Sequence, residues 1–225
     1  MKIQVDWQSF RKKYEKPKKG EFPTGTRVYK GFQGKGKSLS MVNDIYQCRK
    51  IFPKSIICSN LLLKNIDYIL IKDNIDLHNC LKIQNGENGV LIALDEAHLF
   101  FNKKDGISLD VLTCISQQRK DRRKIFFTTQ IWEELDVSLR KQVKEVVNCN
   151  NIGRIQINKI IDGESIVFDK MLGTWVGDTK AYAIYKHNKE LYQKYDTYQK
   201  IINNQEYHRE FRVETPIINI NNKIK

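Results

Sequence analysis

Short apolar runs alternate with helical patterns along the first two thirds of the chain. Most of these runs are rich in β-branched or aromatic residues and are bounded by polar or turn residues, which is typical of strands buried in a parallel sheet. The predicted strands are Thr26–Lys30, Ser55–Asn60, Tyr68–Lys72, Val90–Leu94 and Lys124–Thr129. The helices predicted between them are Ser38–Lys50, Asp76–Ile83 and Leu109–Gln118. This alternation predicts an α/β fold, with a mostly parallel central sheet flanked by helices.

The two ends of the chain have a different pattern. Residues 1–25 are basic and contain prolines and glycines, which predicts an N-terminal arm that precedes one domain at residues 26–225. After the last predicted strand, residues 132–147 contain a predicted helix that carries Arg140. Two β-rich runs between residues 154 and 170 flank Asp162-Gly163, a dipeptide typical of hairpin turns, and predict a C-terminal β-hairpin.

A glycine-rich loop joins the first predicted strand to the first predicted helix. The segment Gly31–Ser38 reads Gly-Phe-Gln-Gly-Lys-Gly-Lys-Ser and fits the Walker A pattern G-x-x-x-x-G-K-[ST] at every defined position. In such a loop the glycines bring backbone N–H groups against phosphate oxygens, the lysine reaches the β- and γ-phosphates and the serine binds Mg²⁺. The predicted ATP-binding residues are Gly31, Gln33, Gly34, Lys35, Gly36, Lys37, Ser38 and Leu39.

A second motif follows at ordinary separation. The apolar run at residues 90–94 ends in Asp95 and Glu96, the Walker B pattern, in which a buried strand presents carboxylates at its C-terminal end. Asp95 is predicted to hold Mg²⁺ with Ser38, and Glu96 to act as the general base on the attacking water. Gln130 follows the strand at residues 124–129, where an amide could contact the γ-phosphate or that water; the alternative is an ordinary loop glutamine.

Composition and charge limit the possible functions. Lys and Arg number 39 against 26 Asp and Glu, which gives a formal charge of +13 and favours a polyanionic partner such as DNA; the alternative is a solvated basic surface. No apolar run approaches the roughly 20 residues that span a bilayer, and the N-terminus lacks a secretory pattern. We therefore expect no transmembrane segment and a location in the host cytoplasm or on a virion.

Several short motifs, in their order along the chain, resemble those of Zot-like filamentous-phage assembly ATPases and the wider HerA/FtsK group of DNA-pumping ATPases, which includes viral genome-packaging ATPases. They are Ser55–Asn60, Leu94–His98, Gln117–Arg119, Phe127–Gln130 and Leu139-Arg140. The resemblance implies a RecA-like sheet in which the Gln130 strand lies between the two Walker strands. It also implies a homo-oligomeric ring with ATP at subunit boundaries, Gln130 as a polar sensor, and Arg119, or else Arg140, as a finger that reaches the neighbouring subunit's γ-phosphate.

These observations lead to one leading hypothesis and two alternatives. The leading hypothesis is a ring-shaped, ATP-driven motor that translocates double-stranded DNA and packages a viral genome through contacts with capsid or portal-vertex proteins. The first alternative is a Zot-like motor that extrudes phage at the host membrane. The second is a module in which bound nucleotide switches a DNA or protein interaction and turnover is incidental.

Overall fold

The computed structural model describes residues 20–101 and 106–196. Most of the predicted basic arm therefore lies outside the described residues, and its boundary at residue 25 stays a prediction. The helices are α1 (Lys37–Ile51), α2 (Asn74–Lys82), α3 (Leu109–Ser116), α4 (Val137–Arg140) and α5 (Lys189–Tyr192). The strands are β1 (Gly25–Lys30), β2 (Ile56–Ser59), β3 (Ile69–Leu70), β4 (Val90–Leu94), β5 (Arg123–Thr129), β6 (Val143–Ile152), β7 (Ile155–Asp162), β8 (Val167–Asp169), β9 (Thr174–Val176) and β10 (Thr179–Lys186).

Eight of these strands form one mostly parallel sheet in the order β10-β7-β6-β1-β5-β4-β2-β3. The strands from β6 to β3 in that order are parallel, and β7 and β10 add to the β6 edge in antiparallel pairs. Strand β5 lies between β1 and β4, as the resemblance implied. The predicted fold, a RecA-like α/β sheet, is thus confirmed, and the carboxyl ends of β1, β4 and β5 meet at one edge.

Both faces of the sheet are covered by apolar packing. Helix α1 buries Leu39, Met41, Val42 and Ile45 on one face, against side chains of β1, β4 and β5. Helices α2 and α3 contribute Leu77, Leu81 and Ile115 to the core on the other face. Parallel strands that are covered on both sides read as continuous apolar runs, which explains why the sequence identified them. Among the described residues, no helix combines the length and the apolar character needed to cross a bilayer.

The helix predicted within residues 132–147 is present and carries Arg140, but it is short. A 3₁₀ turn covers Trp132–Glu134, α4 is four residues long, and the chain then enters β6, which is ten residues long. The apolar residues Val143, Val146 and Val147 fit a helical spacing as well as a strand. Pairing with β1 on one side and β7 on the other decides for the strand, because tertiary contacts override a weak local preference.

A C-terminal hairpin is present, but the turn predicted for it is misplaced. Asp162 ends β7, and its carboxylate accepts a hydrogen bond from the Glu164 N–H, which starts a 3₁₀ turn. The antiparallel hairpins are instead β6–β7, which turns at Gly153, and β8–β9. Gly163 has another role: a Cβ atom there would collide with the backbone carbonyl of Val143, so only glycine fits.

Candidate functional site

The phosphate loop lies between the end of β1 and the start of α1. Gly36, the N-cap of α1, has φ +77° and ψ 27°, a left-handed conformation that glycine adopts without strain. Lys37 is buried, and its Nζ donates a hydrogen bond to the Phe32 carbonyl 3.2 Å away, across the loop. Helix α1 is 15 residues long, so its free N–H groups and its dipole make the loop an anion site.

Two amide side chains from the antiparallel strands support the loop from behind. Asn151 Nδ2 at the end of β6 donates to the Gly34 carbonyl at 3.1 Å, and Gln156 Nε2 of β7 donates to the Lys35 carbonyl at 3.0 Å. The fit is close, because a Cβ atom at Gly36 would collide with the Gln156 amide. The C-terminal strands therefore help to shape the loop that the N-terminal motif forms.

Asp95 stands at the end of β4 and is held on all sides. Its Oδ1 accepts hydrogen bonds from Ser38 Oγ at 2.8 Å and from Thr128 Oγ1 at 2.6 Å. Asn60 clamps its backbone: Asn60 Nδ2 donates to the Asp95 carbonyl at 2.9 Å, and Asn60 Oδ1 accepts from the Asp95 N–H at 2.8 Å. The pKa of Asp95 is raised, because the effect of burial exceeds that of the hydrogen bonds from Thr128 and Ser38, which lower it.

The pairing of Ser38 with Asp95 joins the two Walker motifs. The Ser38 hydroxyl and the Asp95 carboxylate place two hard oxygen ligands next to each other, and Mg²⁺ prefers such ligands. Mg²⁺ usually keeps several water ligands as well, so a few protein ligands are enough. No cluster of three or more His, Cys, Asp or Glu side chains occurs in the described residues. This donor set fits a cation that is shared with phosphate oxygens.

Glu96 lies beside this pair in an unusual backbone conformation. Its φ of 53° and ψ of 55° are left-handed, which is uncommon for a non-glycine residue and is often found at functional sites. The Glu96 N–H donates to Thr128 Oγ1 at 2.9 Å, and Gln130 Nε2 lies 3.4 Å from Glu96 Oε1. His98 Nδ1 lies 3.3 Å from the other carboxylate oxygen. Glu96 is about one quarter exposed, so its carboxylate can meet a water molecule.

The structure thus brings Ser38, Asp95, Glu96 and Gln130 together at the edge where the phosphate loop lies. Of the other predicted ATP-binding residues, Gln33 is exposed on the loop and the Leu39 side chain is buried in the core. The roles assigned to these residues stay predictions.

The two candidate arginines lie in different parts of the fold. Arg119 is exposed in the turn before β5, at the amino end of that strand. Gln130 follows the carboxyl end of β5, about 20 Å from the amino end, because a strand rises roughly 3.3 Å per residue. Arg140 ends α4, and its guanidinium lies over the ring of Trp175 at 5.5 Å.

Sequence reasoning gave no site role to three buried residues that shape the site, namely Asn60, Thr128 and Gln156. Each is a polar residue in an otherwise apolar or β-rich strand, or at its end, and each is buried. A buried polar side chain needs a hydrogen-bond partner, so its position in a predicted buried strand was a usable signal. What the sequence could not give is the partner.

No protein-family profile matches the sequence, and no curated protein does. Solved structures do match. The N-terminal domain of zonular occludens toxin from Neisseria meningitidis superposes with a TM-score of 0.55 at 19% identity, over 76% of this chain and 98% of that one. The genome packaging NTPase B204 from Sulfolobus turreted icosahedral virus 2, in complex with ATP-gammaS, gives 0.52 at 15% identity over 72% and 96%. The chain therefore shares the RecA-like α/β fold of these two structures, with a Walker loop after its first strand.

Proposed function

We propose that this protein hydrolyses ATP with Mg²⁺. The observation that carries the proposal is the Ser38–Asp95 hydrogen bond, with Glu96 and Gln130 beside it and the phosphate loop at the same edge. Lys37 and the loop N–H groups bind and orient the phosphates, and the bound cation would add charge neutralisation there. Glu96 holds a water molecule and accepts its proton, and Gln130 fixes the direction of the Glu96 carboxylate.

Two substitutions test this assignment. Lys37→Ala should abolish turnover and leave the fold intact, because the lysine contributes charge at the loop and little to the core. Glu96→Gln should keep nucleotide bound and lose turnover, since it removes the base but retains the shape. EDTA should stop wild-type hydrolysis. Turnover by Lys37→Ala at the wild-type rate would refute the nucleotide site, whereas normal turnover by Glu96→Gln would remove only the base from the proposal.

We further propose that hydrolysis drives translocation of double-stranded DNA through a homo-oligomeric ring, in the service of viral genome packaging. The support is the charge of +13, the motif resemblance to DNA-pumping ATPases and the likeness to a viral genome packaging NTPase. Steady-state hydrolysis with and without duplex DNA, at two salt concentrations, is the test. Stimulation that weakens as salt rises is expected, because phosphate contacts release counterions. A rate of ATP hydrolysis that is the same with and without DNA would contradict the proposed translocation.

The ring makes a prediction about the arginines. If Arg119 completes the neighbouring site, Arg119→Ala and Lys37→Ala should each be inactive alone, and a mixture should regain part of the activity. The reason is that some interfaces then combine an intact loop with an intact arginine. Arg140→Ala mixed with Lys37→Ala is the matched comparison, and the pair that complements identifies the finger. Failure of both mixtures, in rings shown to exchange subunits, would exclude an arginine supplied in trans by either residue.

A second function is favoured by one finding, the likeness to the zonular occludens toxin domain, which covers nearly all of that chain. In this version the same ATPase drives phage assembly at the host membrane. Affinity purification from infected cells separates the two: capsid or portal-vertex proteins are expected for packaging, and an inner-membrane partner for extrusion.

A further inference from the structure

A buried polar chain runs from the phosphate loop into the C-terminal strands. Gln156 is fully buried, and its Nε2 donates to the Lys35 carbonyl at 3.0 Å and to Asn158 Oδ1 at 2.8 Å. On its other side, Gln156 Oε1 lies 2.9 Å from His187 Nε2, and His187 Nδ1 lies 2.8 Å from the Tyr192 hydroxyl. His187 is 6% exposed and Tyr192 is 45% exposed, so the chain of contacts is buried from Gln156 as far as His187.

The hydrogen-bonding capacity of each group fixes the direction of the chain. A backbone carbonyl can only accept, so the Gln156 nitrogen faces Lys35 and the Gln156 oxygen faces His187. His187 Nε2 must then carry a proton. Its Nδ1 is left to accept the Tyr192 hydroxyl proton, which is the arrangement of a neutral imidazole. Burial lowers the pKa of His187, in agreement with a neutral ring.

We propose that Gln156 is a positioning residue for the phosphate loop and that His187 holds its amide in the working orientation. Two contacts carry the inference: the Lys35 carbonyl that Gln156 binds, and Gly36, at which the amide leaves no room for a Cβ atom. Lys35 and Gly36 immediately precede Lys37. The loop conformation thus depends on β7 and on the segment after β10. This inference rests on the nucleotide site proposed above.

The same network offers a matched control. The Tyr185 hydroxyl donates to Ser40 Oγ at 3.0 Å, and Asn158 Nδ2 donates to the same oxygen, so Tyr185 supports helix α1 and makes no hydrogen bond to the loop. Tyr185→Phe removes one hydrogen bond from the network. It should lower the melting temperature slightly and leave the affinity for ATP within about twofold of wild type.

The test measures the Kd for ATP at 20 °C, where each variant is verified to be folded. Gln156→Met keeps the length of the side chain but removes the donor, and it should weaken ATP about three- to tenfold, the range for one lost hydrogen bond. The affinity for tripolyphosphate, which lacks base and sugar, is measured by competition with ATP and should fall by the same factor. Wild-type affinity in folded Gln156→Met would overturn the proposal, as would an equal loss in Tyr185→Phe.

Two further measurements keep the proposal decidable. If Gln156→Met does not fold, His187→Phe is measured in its place. It leaves Gln156 Oε1 without its partner and should raise the Kd for ATP about two- to threefold. An unchanged Kd would refute the role of His187. In the wild type, ¹⁵N chemical shifts of the His187 ring, assigned by loss in His187→Phe, should show a protonated Nε2 and a bare Nδ1. The opposite tautomer would overturn the assigned orientation of the Gln156 amide, and this measurement does not depend on nucleotide binding. Failure of wild-type protein to bind ATP would instead refute the proposed function.

Discussion

Thr128→Val is the substitution that probes the centre of the site most directly. The Thr128 hydroxyl donates to the Asp95 carboxylate at 2.6 Å and accepts from the Glu96 N–H at 2.9 Å, and Thr128 is fully buried. Valine has nearly the same shape, so the change removes both hydrogen bonds and little packing. Thr129→Val is the matched control. Thr129 is equally buried in the same strand, and its hydroxyl donates to the Ile131 carbonyl at 2.9 Å.

The magnitudes follow from the partners. A hydrogen bond to a charged group contributes about 1.5–3 kcal/mol, and leaving the Glu96 N–H without its acceptor adds about 1 kcal/mol, so Thr128→Val should cost roughly 3 kcal/mol. Thr129→Val loses one neutral hydrogen bond and should cost about 1 kcal/mol. For a chain of this size, these values correspond to losses in melting temperature of roughly 6–12 °C and 2–4 °C, respectively.

The assay combines thermal unfolding, followed by circular dichroism, with ATP hydrolysis as a function of Mg²⁺ concentration. Thr128→Val should also need more Mg²⁺ for half-maximal turnover, because Asp95 loses a donor that stabilises its ionised form. Thr129→Val should keep the wild-type dependence on Mg²⁺. Equal melting temperatures for the two variants would refute the hydrogen-bond reasoning, and an unchanged Mg²⁺ dependence in Thr128→Val would refute the link between Thr128 and the cation.

Two further predictions concern the loop and the sheet. Gly36→Ala and Gly34→Ala place a Cβ atom at nearly the same φ, +77° and +75°, but of the two only Gly36 lies against the Gln156 amide. Gly36→Ala should therefore lose more affinity for ATP, measured by titration. Equal losses in the two variants would contradict the role of this contact. Burial alone would raise the pKa of Glu145, but Lys124 and Arg27 lower it to about 2. Because the folded pKa lies below the unfolded 4.5, stability present above pH 4.5 is lost as pH falls towards 2, by roughly 3 kcal/mol at 1.36 kcal/mol per pH unit. Glu145→Gln should flatten that part of the acid unfolding curve, and an unchanged slope would refute the shift.

The first half of the fold could be predicted because its signals are local. The run from Val90 to Leu94 is apolar at every position, and burial of a parallel strand on both faces requires that pattern. The Walker loop is likewise specified within eight residues, since its chemistry needs glycines, a lysine and a hydroxyl at fixed spacing. The order of the strands is different. Only the resemblance to known ATPases, and no pattern in these residues, placed β5 between β1 and β4.

The second half was harder to predict because its residues serve partners far away in the chain. The β6–β7 hairpin contains Asn148, Asn150, Asn151, Gln156 and Asn158, a composition that is depleted in ordinary strands. Read alone, such residues indicate a solvated loop. In the structure, several of these amides meet carbonyl and hydroxyl groups of the phosphate loop and helix α1, more than a hundred residues earlier.

This arrangement gives the amide-rich hairpin a physical reason. A phosphate loop turns its N–H groups towards the ligand, so its carbonyl groups point the other way and need donors behind the loop. Side-chain amides on an adjacent strand can supply those donors without adding a charge that would compete for phosphate. Asn151 and Gln156 bind the carbonyl groups of two consecutive loop residues in this way. In this chain, Asn151 and Gln156 are therefore explained by the carbonyl groups of the phosphate loop rather than by the pairing of the strands that carry them.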